Sequence, residues 1–391
     1  MSGISGFSLK GRALLPVVQG GMGVGVSAHR LAGTVAGEGG VGTLSSVDLR
    51  RHHPDLMLAT GRSRDKQAID AANLVALDRE IRAARELAGG CGAIAVNVMR
   101  AVSEYPAYVR QACESGANAI VVGAGLPLDL PEMVADYPDV ALIPILSEAR
   151  AVGLVLKRWM RKGRLPDAVV IEHPRHAGGH LGAARIEDLD DPRFDFARVL
   201  PAVFELFEEL GIERARIPVI VAGGINSPHR LREALALGAS AVQIGTAFAV
   251  TRECDAHPEF KRVLAEAGAQ DIVTFMSVAG LPARAVRTPW LETYLEREAV
   301  RQKRARPRAC TMAFDCLAHC GLRDGLDRAG QFCIDHHLAA ALRGDVKHGL
   351  FFRGADPVPF GAEIRPVRDL MDHMLERNAA RGEPAAMCAA A

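Results

Sequence analysis

Short apolar runs alternate with amphipathic segments along the first 250 or so residues of the chain. Eight runs are rich in Val, Ile, Leu and Ala, and each is followed by Gly, Pro or polar residues, which is typical of buried strands. The predicted strands are residues 13–19, 41–44, 93–98, 119–122, 141–146, 168–172, 217–222 and 241–245. The predicted helices between them are residues 28–36, 77–87, 105–114, 130–136, 148–160, 194–210 and 228–237.

Eight rounds of strand and helix predict an α/β fold of the (β/α)8 TIM-barrel class. Strands that are apolar throughout need cover on both faces, which helices provide around a parallel sheet. An open doubly wound sheet is the alternative, and the count of eight favours the closed barrel. We assign residues 1–300 to the barrel and residues 301–391 to a cysteine-containing, mostly helical extension with a flexible Ala-rich tail from residue 381.

Residues 45–76 are longer and more polar than a simple connection between a strand and a helix requires. Arginines, histidines and a lysine concentrate in this segment. Long loops of this kind often close over a binding site, so the segment is a candidate lid insertion, and a solvated excursion is the alternative.

Composition narrows the ligand class. Lys and Arg total 47 against 46 Asp and Glu, a net charge of +1 that gives no electrostatic reason to expect nucleic acid or a membrane surface as a partner. A small-molecule substrate is the expectation, and the sequence does not fix whether the chain forms a homo-oligomer. With neither a signal-like start nor a long apolar stretch, we expect a cytoplasmic protein.

In a barrel of this class, the loops at the C-terminal ends of the strands form the active face. Gly223-Gly224 and Gly245-Thr246 end two consecutive strands, with one amphipathic helix between them. Glycines leave backbone N–H groups free to point into a shared pocket, and the threonine hydroxyl adds a donor. This arrangement predicts a phosphate site, while tight turns alone are the simpler interpretation.

The most distinctive stretch is residues 169–182, in which an apolar strand ends in a loop with three histidines and two adjacent glycines. Backbone at Gly178 and Gly179 can approach a flat ligand closely, and the imidazole of His180 can reach the same ligand. His173 and His176 are candidates for bracing the loop. Glu172 at the strand end is a candidate ligand-binding or supporting carboxylate.

Five motifs in this order resemble the nitronate monooxygenase family, formerly called 2-nitropropane dioxygenases, and share much with the FMN-dependent enoyl-acyl-carrier-protein reductases. The resemblance covers about residues 10–290, and Ala-Gly-Gly-His is its most specific part. The motifs are Gln19-Gly20-Gly21-Met22-Gly23, Asn97-Val98-Met99, Ala177-Gly178-Gly179-His180, Ala222-Gly223-Gly224-Ile225 and Gly245-Thr246-Ala247-Phe248.

The resemblance implies an FMN-binding TIM barrel and gives each motif a role. Gly20, Gly21, Met22 and Asn97 would line the isoalloxazine, and Gly178 and Gly179 would lie against it. The phosphate would be held by Gly223, Gly224, Gly245 and Thr246. His180 would face the substrate as the catalytic residue. Apart from the resemblance, the position of Glu172 at the strand end makes it a candidate to bond flavin or ribityl oxygens, and a buried supporting role is the alternative.

The implied activity is oxidation of alkyl nitronates with O2. The alternative is an NAD(P)H-dependent flavin reductase acting on a quinone or an enoyl thioester, which needs the same flavin platform. A dehydrogenase of the inosine-monophosphate type is disfavoured, because residues 173–182 lack the cysteine with which such enzymes attack their substrate.

Four cysteines fall close together beyond the barrel. A long chain with eight cysteines does not resemble a disulfide framework, so reduced thiols are expected. Their grouping makes a metal ion or an iron–sulfur cluster a candidate cofactor, and a flavin- or metal-binding redox sensor is the non-enzymatic hypothesis. The candidate ligands are Cys310, Cys316, Cys320 and Cys333.

Overall fold

A computed structural model describes residues 4–377, and its centre is a closed barrel of eight parallel strands. Each strand pairs with the next one along the chain, and the eighth pairs with the first, which confirms the predicted TIM barrel. The barrel strands are β3 (Val17–Gln19), β4 (Val41–Ser45), β5 (Ala93–Asn97), β6 (Ala119–Val122), β7 (Ala141–Leu146), β8 (Val169–Glu172), β10 (Val219–Ala222) and β11 (Ala241–Ile244).

The first predicted strand, residues 13–19, is wrong as a single element. Two short strands, β1 (Phe7–Leu9) and β2 (Arg12–Leu14), form a hairpin, and barrel strand β3 starts only after Pro16. Proline has no N–H to give to a ladder, so it separates the two strands. The hairpin's apolar side chains pack with the first residues of the barrel strands and so fill the N-terminal end of the barrel interior.

The helices alternate with the strands and cover the barrel. Helix α3 is much longer than the predicted residues 77–87, because its apolar residues repeat back to Ile69 and because the Asp65 side chain accepts two backbone N–H bonds at its start. The helices are α1 (His29–Gly37), α2 (Pro54–Thr60), α3 (Lys66–Ala88), α4 (Tyr105–Glu114), α5 (Leu130–Met133), α6 (Ala149–Met160), α7 (Phe196–Glu209), α8 (Pro228–Ala236), α9 (Thr246–Ala249), α10 (Pro258–Glu266), α11 (Pro289–Lys303), α12 (Gly321–Asp324), α13 (Ile334–Leu342) and α14 (Val367–Met374).

The candidate lid, residues 45–76, is mostly helical. It contains a 3-10 turn at Leu49–His52, helix α2 and the first half of α3. The Arg50 side chain is buried, while Ser45, Ser46 and Val47 border the main cavity. Most of the segment is therefore packed helix, and its first three residues, Ser45, Ser46 and Val47, lie at the barrel mouth. Further 3-10 turns lie at Ile186–Asp188, Pro192–Phe194, Arg214–Arg216 and Ala269–Asp271.

A second, antiparallel sheet stands beside the barrel mouth. Its strands are β12 (Ile272–Met276), β13 (Pro282–Val286) and β9 (Gly179–His180), so the end of the histidine loop is its edge strand. Pairing of Ala283 with His180 fixes the direction of that histidine by backbone hydrogen bonds. A sequence pattern based on the barrel repeat gives no sign of this sheet.

The C-terminal extension covers the barrel mouth. The predicted boundary at residue 300 falls within α11, and single β-bridges join Val102 to Leu317 and Ala285 to Phe352. The predicted Ala-rich tail lies outside the described residues, which end at 377. None of the helices described between residues 4 and 377 has the length and apolarity needed to cross a membrane.

Candidate active site

One cavity of about 310 Å³ opens at the C-terminal ends of the barrel strands, the position at which barrels of this class carry their active sites. The volume is within the usual range for small-molecule sites. All twelve residues predicted to bind cofactor or substrate border this cavity: Gly20, Gly21, Met22, Asn97, Glu172, Gly178, Gly179, His180, Gly223, Gly224, Gly245 and Thr246.

The loop after β3 contains Gly20 and Gly21, and Gly21 lies directly against Asn97 at the end of β5. A Cβ atom at Gly21 would lie 2.4 Å from the Cβ of Asn97, so only glycine allows this approach. The side-chain amide of the buried Gln19 donates to the carbonyl of Thr43 at 3.0 Å and accepts from its N–H at 2.9 Å, so it holds the end of β3 to β4. The floor of the cavity at this point is bare backbone.

The predicted phosphate site is also built mostly of backbone. Gly223 and Gly224 both have positive φ angles, 96° and 78°, in the region that favours glycine. The Thr246 hydroxyl accepts a bond from the N–H of Gly354 at 3.0 Å, which leaves its own hydrogen free to donate. The glycine turn at Gly223-Gly224, the backbone of Gly245 and the Thr246 hydroxyl all border the cavity.

The histidine loop is held on both sides. His173 approaches the Asp195 carboxylate, with 3.3 Å between Nε2 and Oδ1, and Nδ1 of His176 lies 2.9 Å from Oδ2 of Asp356. The buried guanidinium of Arg284 on β13 donates to the carbonyls of Pro174 and Ala177. These contacts place His173 and His176 as braces of the loop.

His180 differs from the other two histidines. Its Nε2 atom is buried, yet this atom has no hydrogen-bond partner among residues 4–377. The ring packs edge-on against Phe352, with 5.6 Å between ring centroids, and burial lowers the pKa of His180 to about 4. A neutral imidazole with an unused nitrogen therefore borders the cavity.

Glu172 is the acidic group of the site. It ends β8 and borders the cavity, and burial raises its pKa to about 7. Near neutral pH this carboxyl is therefore poised between donating and accepting a hydrogen bond. The raised pKa of Glu172 and the lowered pKa of His180 reverse the usual order, in which a carboxyl titrates at a lower pH than an imidazole.

The extension contributes cavity residues that sequence reasoning missed. Phe352, Arg353, Gly354, Asp356 and Asp335 all border the cavity. Phe352 packs against the ring of His180, whereas the N–H of Gly354 bonds the Thr246 hydroxyl of the predicted phosphate site. The backbone of Arg353 and Gly354 would be 2.5 Å from a Cβ atom at Gly178, so the two segments are in direct contact. No periodicity or motif marks these residues, and only their position in space identifies them.

The four grouped cysteines surround a separate, smaller pocket. All four are free thiols. Within residues 4–377, no group of three or more His, Cys, Asp or Glu side chains is arranged to hold a metal ion. The prediction of a single-ion metal site therefore has no support in the described part of the chain.

A closed (β/α)8 barrel with a large cavity formed by its strand-end loops places the chain in the TIM-barrel fold class. The particular family follows from the sequence as a whole: the model of the nitronate monooxygenase family matches residues 9–376. The chain belongs to this family, as the motifs predicted.

The chain is similar to a probable nitronate monooxygenase of Bacillus subtilis, at 31% identity over 124 residues, 32% of this chain and 33% of that protein. The chain thus matches only about a third of the length of such relatives. A Mycobacterium tuberculosis protein named (3aS,4S,5R,7aS)-5-hydroxy-7a-methyl-1-oxo-octahydro-1H-indene-4-carboxyl-CoA dehydrogenase matches over 287 residues at 29% identity, 71% of this chain and 64% of that protein. FabK from Thermotoga maritima has the same fold, with a TM-score of 0.63 at 23% identity over 92% of this chain and 91% of that one.

Proposed function

We propose that the protein is an FMN-dependent oxidoreductase that oxidises alkyl nitronates with O2. The observation that carries the proposal is the buried, unpartnered Nε2 atom of His180 at the edge of a glycine-lined cavity. A buried polar atom without a partner costs free energy, so such an atom at a cavity indicates a ligand that completes it. Membership of the nitronate monooxygenase family supports the choice of substrate class.

The residues present fit FMN. The bare backbone at Gly20, Gly21, Gly178 and Gly179 leaves room for a flat ring, and Met22 and Asn97 would border it. The N–H groups at Gly223, Gly224 and Gly245 and the Thr246 hydroxyl would hold the phosphate. Glu172 would bond a polar edge of the cofactor. When bound, FMN would supply the transfer of electrons from nitronate to O2.

The protein's own groups would position the substrate. With its pKa lowered to about 4, His180 is neutral at neutral pH, so its buried Nε2 can accept a proton or, in the other tautomer, donate a hydrogen bond. Phe352 lies against its ring and limits access of water from that side. A nitronate placed beside His180 would have its oxygens or its acidic carbon within reach of this nitrogen.

Replacing Gly178 with Ala should weaken FMN binding. The new Cβ would meet the backbone of Arg353 and Gly354 at 2.5 Å, and the displaced segment includes the N–H that bonds Thr246. Overpacking of this kind costs about 1–3 kcal/mol, which corresponds to a roughly 5- to 150-fold rise in the Kd of FMN.

Titration of the flavin-free protein by flavin fluorescence measures this Kd. The control is Gly153→Ala on α6, where a Cβ would meet only the Leu206 side chain at an ordinary 3.4 Å. An unchanged Kd in Gly178→Ala, or an equal change in both variants, would remove Gly178 from the cofactor site.

NAD(P)H-dependent flavin reduction of an enoyl thioester or a quinone is the second candidate function. The observation in its favour is the match, over 71% of the chain, to the Mycobacterium tuberculosis protein whose name describes an oxidoreductase acting on a CoA thioester. This activity would use the same cavity with a nicotinamide donor. A purely sensory role is disfavoured, because the family is one of enzymes.

Anaerobic mixing separates these functions. The purified protein, loaded with FMN, is mixed without O2 with propionate-3-nitronate, with NADH, or with NADH plus a quinone, and flavin absorbance is followed. We expect bleaching by the nitronate and recovery of colour when O2 is admitted. Bleaching by NADH but not by nitronate would favour the reductase, and failure to bind FMN would end both proposals.

A further inference from the structure

A four-cysteine pocket lies next to the active-site cavity and takes no part in the chemistry described so far. It is bordered by Cys310, Cys316, Cys320 and Cys333, which come from separate positions along 24 residues of the extension. The remaining free cysteines of the described chain, Cys113 and Cys254, are buried elsewhere. The fold has therefore brought the grouped thiols of the extension together.

The walls of this pocket are fastened to the rest of the protein. Leu317 bridges to Val102, and the N–H of Gly321 donates to the carbonyl of Val278 at 2.7 Å. On another side, the guanidinium of Arg64 donates to the carbonyls of Cys310 and Thr311. The cysteines thus lie on anchored backbone, although α12 is the only helix or strand described between residues 304 and 333.

We infer that the four-cysteine pocket is the site of an iron–sulfur cluster ligated by Cys310, Cys316, Cys320 and Cys333. Four cysteines are the usual ligand set of such clusters. A single tetrahedral ion would draw its ligand atoms to within about 2.3 Å of one centre. The described residues contain no group arranged in that way, whereas a cluster holds its thiolates at its corners and so farther apart.

The surroundings of the pocket suit a cluster. Met312, Leu317, Leu322 and Ile334 supply apolar walls that limit access of water. Arg323 and Asp315 also border the pocket. The Arg323 guanidinium pairs with Asp324 at 2.6 Å and donates to the carbonyls of Leu317 and Ala318, so it braces the loop that carries Cys316 and Cys320. No disulfide joins these cysteines, which leaves all four sulfur atoms available as ligands.

The pocket also adjoins the active-site cavity. Cys316, Leu317 and Ile334 border both spaces. A cluster here would fix two segments of the extension, one before Leu317 and one at the start of α13, that together form a wall of the cavity. The inference concerns a site separate from the proposed FMN site, and its test does not depend on nitronate oxidation.

Metal and sulfide analysis of the full chain, purified without O2 and reconstituted with ferrous iron and sulfide, tests the proposal. We expect about two or four irons per chain, matched by acid-labile sulfide, and a paramagnetic resonance signal after reduction with dithionite. The variants Cys316→Ser and Cys333→Ser should lose most of the iron and sulfide. Cys113→Ser makes the same atomic change at a buried cysteine outside the pocket and should keep both.

Three results would overturn the inference: zinc without sulfide, no metal after reconstitution, or equal iron content in the pocket variants and Cys113→Ser. If the pocket variants fail to fold, the iron and sulfide content of the unaltered chain decides alone. Bound FMN, measured in the same samples, distinguishes this test from that of the proposed function. A protein that binds FMN but no iron would contradict only the cluster.

Discussion

The His180→Asn variant is expected to lose roughly 10²- to 10⁴-fold in kcat/KM for a nitronate while retaining FMN, because asparagine keeps a polar side chain but cannot exchange a proton. The unpartnered, buried Nε2 of His180 is the group that this change removes. Steady-state oxygen consumption with propionate-3-nitronate gives kcat/KM, and the absorbance spectrum of the purified variant gives its flavin content. His229→Asn, at an exposed position on α8, is the matched control and should leave both unchanged.

The pH profile adds a second readout. Burial lowers the pKa of His180 to about 4, so its neutral form is present above that pH and is lost as the pH falls through it. The kcat/KM of the unaltered protein should therefore show no loss due to His180 between about pH 5 and pH 8. A fall through the ordinary histidine range near pH 6.5 that disappears in His180→Asn would show that the nitrogen is not buried during turnover. Loss of FMN from the variant would instead assign His180 to cofactor binding.

The Arg51→Met variant is expected to lower the free energy of unfolding by about 3–5 kcal/mol, because it leaves a buried carboxylate without its partner. The Arg51 guanidinium lies 2.7 Å from Oδ2 of Asp335 and also pairs with Asp48, and all three side chains are at most 8% exposed. The other oxygen of Asp335 has no hydrogen-bond partner among the described residues. In the variant, Asp48 would still pair with the Arg50 guanidinium, at 2.6 Å. Most of the lost stability would therefore come from Asp335, which would have no cationic partner.

Chemical denaturation of the unaltered protein and its variants measures this effect. Arg79→Met removes an exposed ion pair with Asp55, so a change of about 0–1 kcal/mol is expected in that control. The double variant Arg51→Met/Asp335→Leu should recover much of the loss, since it leaves no unpaired charge. Equal effects of Arg51→Met and Arg79→Met would mean that the buried pair does not tie residues 45–76 to the extension.

The sequence alone determined the barrel and the set of strand-end loops that border its main cavity. Each barrel strand is a short apolar run followed by glycine or polar residues, and parallel strands of one sheet have their C-terminal ends at the same edge. Loops distant along the chain, such as those at Gly21, His180 and Gly224, could therefore be assigned to one cavity. These loops could be recognised from their residue types, because a glycine pair or a group of histidines directly after an apolar strand is visible in the sequence.

Only the tertiary structure decided what covers the cavity. The segments at Asp335 and Phe352 reach the barrel mouth through contacts with parts of the chain more than 60 residues away, and no periodic pattern encodes such contacts. The same holds for β9, whose two residues become a strand only because β13 lies beside them. The repeat of strands and helices fixes where each strand-end loop lies, so the position of those loops follows from the sequence. The position of the extension and of β9 depends on individual polar and backbone contacts, and these form only in the complete fold.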